Sequence, residues 1–319
     1  MNLGDAYLDY YVDNVLKLPS DKRSDFLAQV DYLIGRLQKK IDEDSDLTIG
    51  KFKKCGSLMK GTSLKPRDGF PVDADLAVEI FVSETEAKDI DLLHGFLLTL
   101  LMKIYPTKEE QDFTIQPRTL GIVFRVSGLE VDLVPVVPVS GRPGFAWQHS
   151  NRGDEPVITS VAGQLDFIGG RAKADPRFKR LVRMAKRWRN HQGHDYLGSF
   201  AIELLMAYLQ DTKGVAPSLE EGMLRFFLYV AQSGLRGLVT FPEIGKPSSM
   251  PEAPVVILDP VNADNNVASK IDDAERITLV ASARDAWESL MDASYGNRPK
   301  GETLDRWKEV FGTSFRIED

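Results

Sequence analysis

Val72-Asp73-Ala74-Asp75-Leu76-Ala77-Val78 combines two carboxylates with a regular apolar alternation. Side chains on a β-strand point alternately to its two faces, so the even-numbered residues of this segment give one wholly apolar face. Asp73 and Asp75, two positions apart, share the other face. The segment therefore predicts a half-buried strand that presents two carboxylates side by side, where both can bind the same metal ions.

A second acidic strand is predicted where Asp132 lies in Leu129-Glu130-Val131-Asp132-Leu133-Val134-Pro135. Together with Asp73 and Asp75 it offers three carboxylates from two adjacent strands. Such a set supplies the oxygen ligands that Mg²⁺ prefers without filling its coordination shell. Glu130 shares a strand face with Asp132, so alternation alone leaves it open as a competing ligand.

Upstream of both strands, Gly56 and Ser57 follow a predicted strand that ends at Cys55. Glycine allows the backbone to approach a phosphate closely, and main-chain N–H groups together with the Ser57 hydroxyl can hold phosphate oxygens. The stretch 60–71 contains glycines, prolines and charges, which predicts a loop at the mouth of the site. An isolated Asp-Xaa-Asp is most often a pair of exposed carboxylates. The informative signal is therefore the order of the three motifs, which are the Gly-Ser turn, the strand with Asp73 and Asp75, and the strand with Asp132.

The composition of the chain excludes several classes of protein. The chain has 319 residues, a net charge of −7 and one cysteine. An acidic chain lacks the basic coating typical of general nucleic-acid binding, and one cysteine supports neither an internal disulfide nor a thiolate zinc site. The first residues lack the layout of a secretion signal, and the longest apolar stretch, around 96–102, is too short to cross a bilayer. We therefore expect a cytoplasmic protein without membrane association.

Apolar periodicity predicts a mixed α/β chain with helices at both ends. We expect N-terminal helices in residues 1–45, one of them long, a strand-rich core with the carboxylates in 46–145 and a helical C-terminal lobe in 146–319. The predicted elements are helices over about 8–18 and 20–41, a strand into Cys55, a strand with Asp73 and Asp75, one or two strands over 119–137, and helices over about 86–104, 178–189, 199–209, 218–232 and 276–291. A connecting loop is predicted at Gly141-Arg142-Pro143-Gly144.

The ordered motifs resemble those of the DNA polymerase β-like nucleotidyltransferase superfamily: a Gly-Ser turn, Asp-Ala-Asp on a strand, then Asp on a Val/Leu/Pro-rich strand. The spacing from Ser57 to Asp73 is a few residues longer than in the usual pattern. This resemblance implies a nucleotidyltransferase core with a mixed sheet, joined to a helical lobe, with the active site in a central cleft.

Motifs in the second half resemble the oligoadenylate-synthase and cyclic GMP-AMP synthase lineage. They are Leu181–Trp188, Ser199–Leu205 and Val256–Val267. The stretch 56–62 also reads Gly-Ser-Xaa-Xaa-Lys-Gly-Thr, as in the bacterial members, the cGAS/DncV-like nucleotidyltransferases (CD-NTases) of CBASS antiphage systems. The resemblance extends from about Gly56 to Phe315.

Residue by residue, the resemblance implies that Asp73, Asp75 and Asp132 are the catalytic metal ligands, holding two Mg²⁺ ions for which Mn²⁺ is a substitute. It implies that Gly56 and Ser57 form the phosphate turn. It further implies that the donor triphosphate contacts Lys186 and Ser199 and that the base stacks on Phe200. Lys186 lies in a basic run over 171–189, most of which we expect to be a solvated helical face.

The activity implied by the resemblance is the condensation of NTPs, with ATP favoured, into a cyclic di- or trinucleotide second messenger such as cyclic triadenylate, with release of pyrophosphate. The motif set looks like that of the branch that makes adenine-rich cyclic trinucleotides and answers to HORMA-domain proteins. A downstream effector would be reached through the product only. The inserted zinc module of the animal DNA sensor has no counterpart, so the sequence gives no support to direct activation by DNA.

Two alternatives stay open. A template-independent RNA-end nucleotidyltransferase, such as a poly(A) or CCA-adding enzyme, shares the carboxylate set, although the acidic chain disfavours a basic RNA-tracking surface. A non-catalytic nucleotide-binding scaffold is the other, and it is disfavoured because clustered acids without a metal repel one another.

Overall fold

The computed structural model of the chain describes residues 3–44, 48–66, 71–82, 89–150 and 156–318. The helices are α1 (Asp5–Tyr10), α2 (Ser20–Asp44), α3 (Gly56–Lys60), α4 (Ile90–Ile104), α5 (Val161–Ala174), α6 (Phe178–Gln192), α7 (Ser199–Lys213), α8 (Leu219–Ser233), α9 (Asp273–Tyr295) and α10 (Lys300–Phe311). The strands are β1 (Thr48–Cys55), β2 (Val72–Phe81), β3 (Phe113–Ile115), β4 (Leu120–Phe124), β5 (Leu129–Pro138), β6 (Ala146–Gln148), β7 (Val157–Thr159), β8 (Leu258–Asp259) and β9 (Asn262–Asn266).

The chain forms two compact units. Leu18–Leu165 make up the first, here called the sheet unit, and Met1–Lys17 with Asp166–Asp319 make up the second, here called the helical unit. The N-terminal helix α1 therefore belongs with the C-terminal helices, whereas the long helix α2 belongs with the sheet. The boundaries predicted from the sequence, after residues 45 and 145, stay predictions.

The sheet unit contains a seven-stranded sheet, whose mixed character confirms the prediction. Its order is β1-β2-β5-β4-β3, with β6 added beside β5 and β7 beside β6. The central pair, β2 and β5, is parallel, and the other pairs are antiparallel. A parallel pair needs a crossover connection, and here α4, β3 and β4 lie between the two strands in the chain. The two strands that carry the predicted carboxylates are thus direct neighbours.

The larger hydrophobic cluster of the sheet unit lies on one face of this sheet. The even-numbered residues of β2 are buried there, as the alternation predicted. The apolar stripe of α2, from Phe26 to Ile41 at three- to four-residue spacing, and the buried face of α4 belong to the same core cluster. Burying this face leaves the odd-numbered residues of β2, including Asp73 and Asp75, on the opposite face.

Several elements were not predicted from the sequence. Strands β3, β6 and β7 have three residues each, so they offer no alternation to detect. Helices α5 and α10 were also missed, as was the β8–β9 hairpin. The predicted first helix is instead α1 followed by a π-helical turn over Tyr11–Leu16. The loop at Gly141–Gly144 joins β5 to β6, where Val139 N donates to Phe145 O at 3.0 Å.

The basic run over 171–189 is not the solvated face that we expected. Of its nine basic residues only Lys173 is exposed. Arg177 pairs with Asp5, and Arg180 pairs with Asp9 and Asp13, so the N-terminal segment covers part of this surface. A single helix cannot reveal such partners, because they lie more than 160 residues away in the chain.

None of the described helices is both long enough and apolar enough to cross a membrane.

His94, on α4, gives a first prediction. It is 1% exposed, and burial lowers the pKa of its imidazole, an effect that the Asp91 carboxylate partly opposes. His94 of the unfolded chain therefore takes up a proton near about pH 6.5, whereas His94 of the folded chain does not. The contribution of this residue to the free energy of unfolding is fully present above that pH and decreases below it. Between about pH 7.5 and pH 5.5 we expect the free energy of unfolding to decrease less in His94→Leu than in the wild type. Urea denaturation measures this, and equal decreases would contradict it.

Candidate active site

The register of the central strands brings the three predicted carboxylates together. In the parallel pairing of β2 with β5, Asp75 lies opposite Asp132. Carboxylate oxygens of Asp73, Asp75 and Asp132 all lie within 4.8 Å of one another. The three acids therefore share one face and one small volume, which confirms their predicted juxtaposition.

The same register separates Asp132 from Glu130, which alternation could not do. Glu130 pairs in register with Asp73 and shares the face. Among the described residues, however, the group able to surround one ion consists of Asp73, Asp75 and Asp132. Asp132 is the acid that lies directly beside Asp75, so it is the better third ligand.

The surroundings of Asp132 disfavour a charged carboxylate. Burial, with the nearby carboxylates of Asp75 and Glu130, raises the pKa of Asp132 to about 7. Its Oδ1 atom is buried and has no hydrogen-bond partner among the described residues. Buried polar atoms are normally paired, so this oxygen marks an unmet demand for positive charge. An all-oxygen donor set with an unpaired buried oxygen fits a hard divalent cation such as Mg²⁺.

Gly56 provides the space that Asp75 occupies. Its φ is +65°, and a Cβ at this position would lie 1.5 Å from Asp75 Oδ2. The sequence suggested a glycine that lets phosphate approach, and the structure adds a second need, which is room for a carboxylate. Both requirements fall on the first residue of α3, directly after β1.

Cys55 precedes this turn and lies opposite Asp75 in the antiparallel pairing of β1 with β2. Burial, and secondarily the Asp75 carboxylate, raises the pKa of the Cys55 thiol to about 12. A thiol that stays protonated at neutral pH is a poor nucleophile. Cys55 therefore acts as a small residue of the strand.

Gly121 is a site residue that the sequence analysis missed. It lies opposite Asp132 in the β4–β5 pairing. A Cβ there would lie 3.0 Å from Asp132 Oδ1 and 3.1 Å from Glu130 Oε1. An isolated glycine in a strand pattern often marks a close approach, and that signal was present in Leu120–Phe124.

Replacing Gly121 with alanine should push the Asp132 carboxylate out of place by a few tenths of an ångström. We expect Mg²⁺ affinity and product formation to fall about tenfold, the usual effect of disturbing groups that orient a metal ligand. Titration calorimetry with Mg²⁺ measures the first and mass spectrometry of product the second. Gly95→Ala is the control, because a Cβ at Gly95 meets nothing within 4 Å. Unchanged Mg²⁺ affinity in Gly121→Ala would contradict the expectation.

The predicted nucleotide contacts Lys186, Ser199 and Phe200 belong to the helical unit. Lys186 Nζ donates to Glu203 Oε1 at 3.2 Å, and the two side chains are 3% and 1% exposed. Ser199 Oγ accepts a hydrogen bond from Arg189 Nη1 at 3.2 Å. Phe200 is partly buried on α7. Their roles toward a nucleotide stay predictions.

Comparison with known proteins gives full-length matches. No protein-family model matches the chain. Over 321 residues the chain is 39% identical to the CBASS oligonucleotide cyclase CdnC of Escherichia coli strain KTE188, covering 100% of this chain and 99% of that protein. It is 30% identical to the cyclic AMP-AMP-AMP synthase of Escherichia coli strain MS 115-1, covering 96% of each.

Solved structures agree with these matches. CdnC of Escherichia coli MS115-1 with ATP superposes with a TM-score of 0.84 at 30% identity, covering 98% of this chain and 99% of that one. The complex of that CdnC with HORMA-deltaN gives a TM-score of 0.83 at 29% identity, covering 99% of both chains. The similarity spans the whole chain, so it includes the strands that bring the carboxylates together.

Proposed function

The chain belongs to the CBASS oligonucleotide cyclases, a family of nucleotidyltransferases, and we propose that it joins ATP molecules into a cyclic oligonucleotide, a cyclic triadenylate, with release of pyrophosphate. The observation that carries the proposal is the cluster of Asp73, Asp75 and Asp132 on one sheet face. A relative that makes cyclic AMP-AMP-AMP and a structural neighbour with bound ATP support the choice of nucleotide. The antiphage role follows from the CBASS family.

The three carboxylates would hold two Mg²⁺ ions. When bound, such ions lower the pKa of an attacking hydroxyl and neutralise charge on the leaving pyrophosphate. Asp73 and Asp75 lie two residues apart on β2 and would bind both ions, while Asp132 would complete the set on the side of the attacking hydroxyl. Asp132 would also help to remove the proton of the attacking hydroxyl.

The phosphate turn would position the donor nucleotide. Gly56 begins α3 beside Asp75, and Ser57 follows it with a hydroxyl that can donate to a phosphate oxygen. In the helical unit, Lys186 and Ser199 are the proposed triphosphate contacts and Phe200 the proposed stacking residue. Because Lys186 is buried against Glu203, its contact with a phosphate requires movement of its side chain.

A test uses the purified full-length chain with ATP and Mg²⁺ and no RNA. After alkaline phosphatase treatment, mass spectrometry should find a phosphatase-resistant adenylate ring, and pyrophosphate should appear in proportion. Mixtures of the four NTPs show whether other bases enter. A short RNA with a free 3′ end, added in a parallel reaction, tests the alternative activity. Extension of that RNA with no cyclic product would reject the proposal.

A HORMA-domain protein is the proposed partner, because a neighbour at 29% identity over the full chain was solved with one. The test is to purify the chain with a HORMA-domain protein from the same genome. Co-elution in gel filtration, with more cyclic product than the chain makes alone, is the expected result. Separate elution together with an unchanged rate would reject this partner.

A further inference from the structure

Two serine hydroxyls meet behind the phosphate turn. Ser57 Oγ lies 3.0 Å from Ser63 Oγ, and Ser63 is only 6% exposed, whereas Ser57 is partly exposed. We propose that Ser63 is a positioning residue, whose buried hydroxyl orients the Ser57 hydroxyl toward a nucleotide phosphate. The inference rests on the proposed function, because it takes Ser57 to be a phosphate contact.

The reason lies in how hydroxyl groups share protons. Each serine hydroxyl has one proton to donate and two lone pairs that accept, and its proton rotates to suit the surroundings. If Ser63 donates to Ser57 Oγ, the Ser57 proton is left free for a phosphate oxygen. A hydroxyl that is oriented before the nucleotide arrives needs no reorganisation on binding, so its hydrogen bond with the charged phosphate is more effective.

The backbone around this pair is well held. Thr62 N donates to Ser57 O at 3.0 Å, and Gly61, with φ of +68°, ends α3 in the left-handed conformation. Thr62 itself is completely buried. These bonds fix the short connection between the two serines, so the distance between their hydroxyls is set by the fold.

An arginine from α2 holds the C-terminal half of α3. Arg23 Nε donates to Leu58 O at 2.8 Å, and Arg23 Nη2 donates to Met59 O. The hydroxyl pair is therefore attached to the core of the sheet unit through α2. Among the described residues near this turn, Ser63 is the one whose side chain hydrogen-bonds with the side chain of Ser57.

The test is a double-mutant cycle in nucleotide binding. Titration calorimetry with Mg²⁺ and α,β-methylene-ATP, an analogue that cannot react, measures Kd for the wild type, Ser57→Ala, Ser63→Ala and the double variant. We expect Ser57→Ala to raise Kd by about tenfold or more and Ser63→Ala by about threefold to tenfold, because both weaken one charge-assisted hydrogen bond. In the Ser57→Ala background, Ser63→Ala should add nothing further.

Two further variants separate orientation from packing. Ser63→Cys keeps the shape of the side chain with a larger atom in place of the hydroxyl oxygen, and its thiol is only a weak donor, so it should raise Kd as Ser63→Ala does. Ser24→Ala is the control, because Ser24 is an exposed serine of α2 whose hydroxyl donates to Ser20 O of its own helix, and it should leave Kd unchanged. Thermal unfolding of every variant checks that the fold is retained.

The outcomes distinguish this inference from the proposed function. If Ser57→Ala raises Kd while Ser63→Ala and Ser63→Cys do not, the positioning role is rejected and the phosphate turn stands. Equal factors for Ser63→Ala in both backgrounds also reject it, because Ser63 would then act independently of Ser57. If Ser57→Ala leaves Kd unchanged, the phosphate role of Ser57 fails, and this inference fails with it.

Discussion

Asp132→Asn should abolish synthesis of the cyclic product while making the metal-free protein more stable. The carboxylate lies beside Asp75 in the metal-compatible cluster, and losing one ligand removes several kcal/mol of stabilisation from the transition state. We expect product formation to fall on the order of a thousandfold or more, which mass spectrometry after phosphatase treatment measures. Glu130→Gln is the matched control on the same strand face, and its product formation should stay within about tenfold of the wild type.

The gain in stability has a definite pH dependence. The folded-state pKa of Asp132, about 7, exceeds the value of about 3.9 in an unfolded chain, so the folded protein binds more protons between these values. The stability that the folded state gains from protonated Asp132 is fully present below the pKa of the unfolded chain. It is lost as pH rises through the pKa of the folded chain. At about pH 8 the metal-free wild type should therefore melt at least about 2 °C below Asp132→Asn.

With Mg²⁺ at high pH, the wild type should instead melt above Asp132→Asn. The ion binds the ionised carboxylates of the wild type and stabilises only the folded state. Differential scanning calorimetry at about pH 6 and pH 8, with and without Mg²⁺, measures both effects. A stability curve for Asp132→Asn with the same pH slope as the wild type would show that Asp132 is not the strained acid. Loss of activity in Glu130→Gln equal to that in Asp132→Asn would move the third ligand to Glu130.

The face on which Asp73 and Asp75 lie could be predicted from the sequence, because alternation is a local property of one strand. The neighbour of that strand could not, since a parallel pair is joined through a long crossover and leaves no local signal. Asp132 was expected to join the cluster because it lies on a second acidic strand, and the order of the motifs resembles that of the family. The pairing of Asp75 with Asp132 depends on the register of the two strands and is seen only in the folded structure. The same register shows that Asp132, and not Glu130, lies beside Asp75.

The burial of charged residues could not be predicted from the sequence either. Lys186 lies in a basic run whose composition favours solvent exposure, yet it is buried against Glu203 on the next helix. Burial of a charge is acceptable only with a partner, and the partner is visible only once α6 and α7 pack together. Gly121 and Ser63 escaped notice for a related reason, since each matters through what it touches across the fold. The family resemblance supplied the predicted reacting groups, and the residues that we propose support them emerged from packing.

Gly56→Ala should have the second large effect. At φ of +65° an alanine is strained by about 1–2 kcal/mol, and its Cβ would fall 1.5 Å from Asp75 Oδ2. Either the Asp75 carboxylate moves away from its partners or the turn rebuilds, and both changes disturb the metal ligands and the phosphate turn together. We expect product formation to fall at least about a hundredfold, with weaker Mg²⁺ binding by calorimetry.

Gly128→Ala is the matched control for Gly56→Ala. Gly128 has a φ of +72° in the turn between β4 and β5, and a Cβ there meets nothing within 4 Å. It therefore carries the same backbone strain without the collision, and it should cost about 1 kcal/mol of stability while leaving product formation unchanged. The difference between the two variants isolates the effect of crowding Asp75. If both lose activity equally, backbone strain and not the carboxylate explains the loss, and the close approach of Gly56 to Asp75 has no catalytic importance.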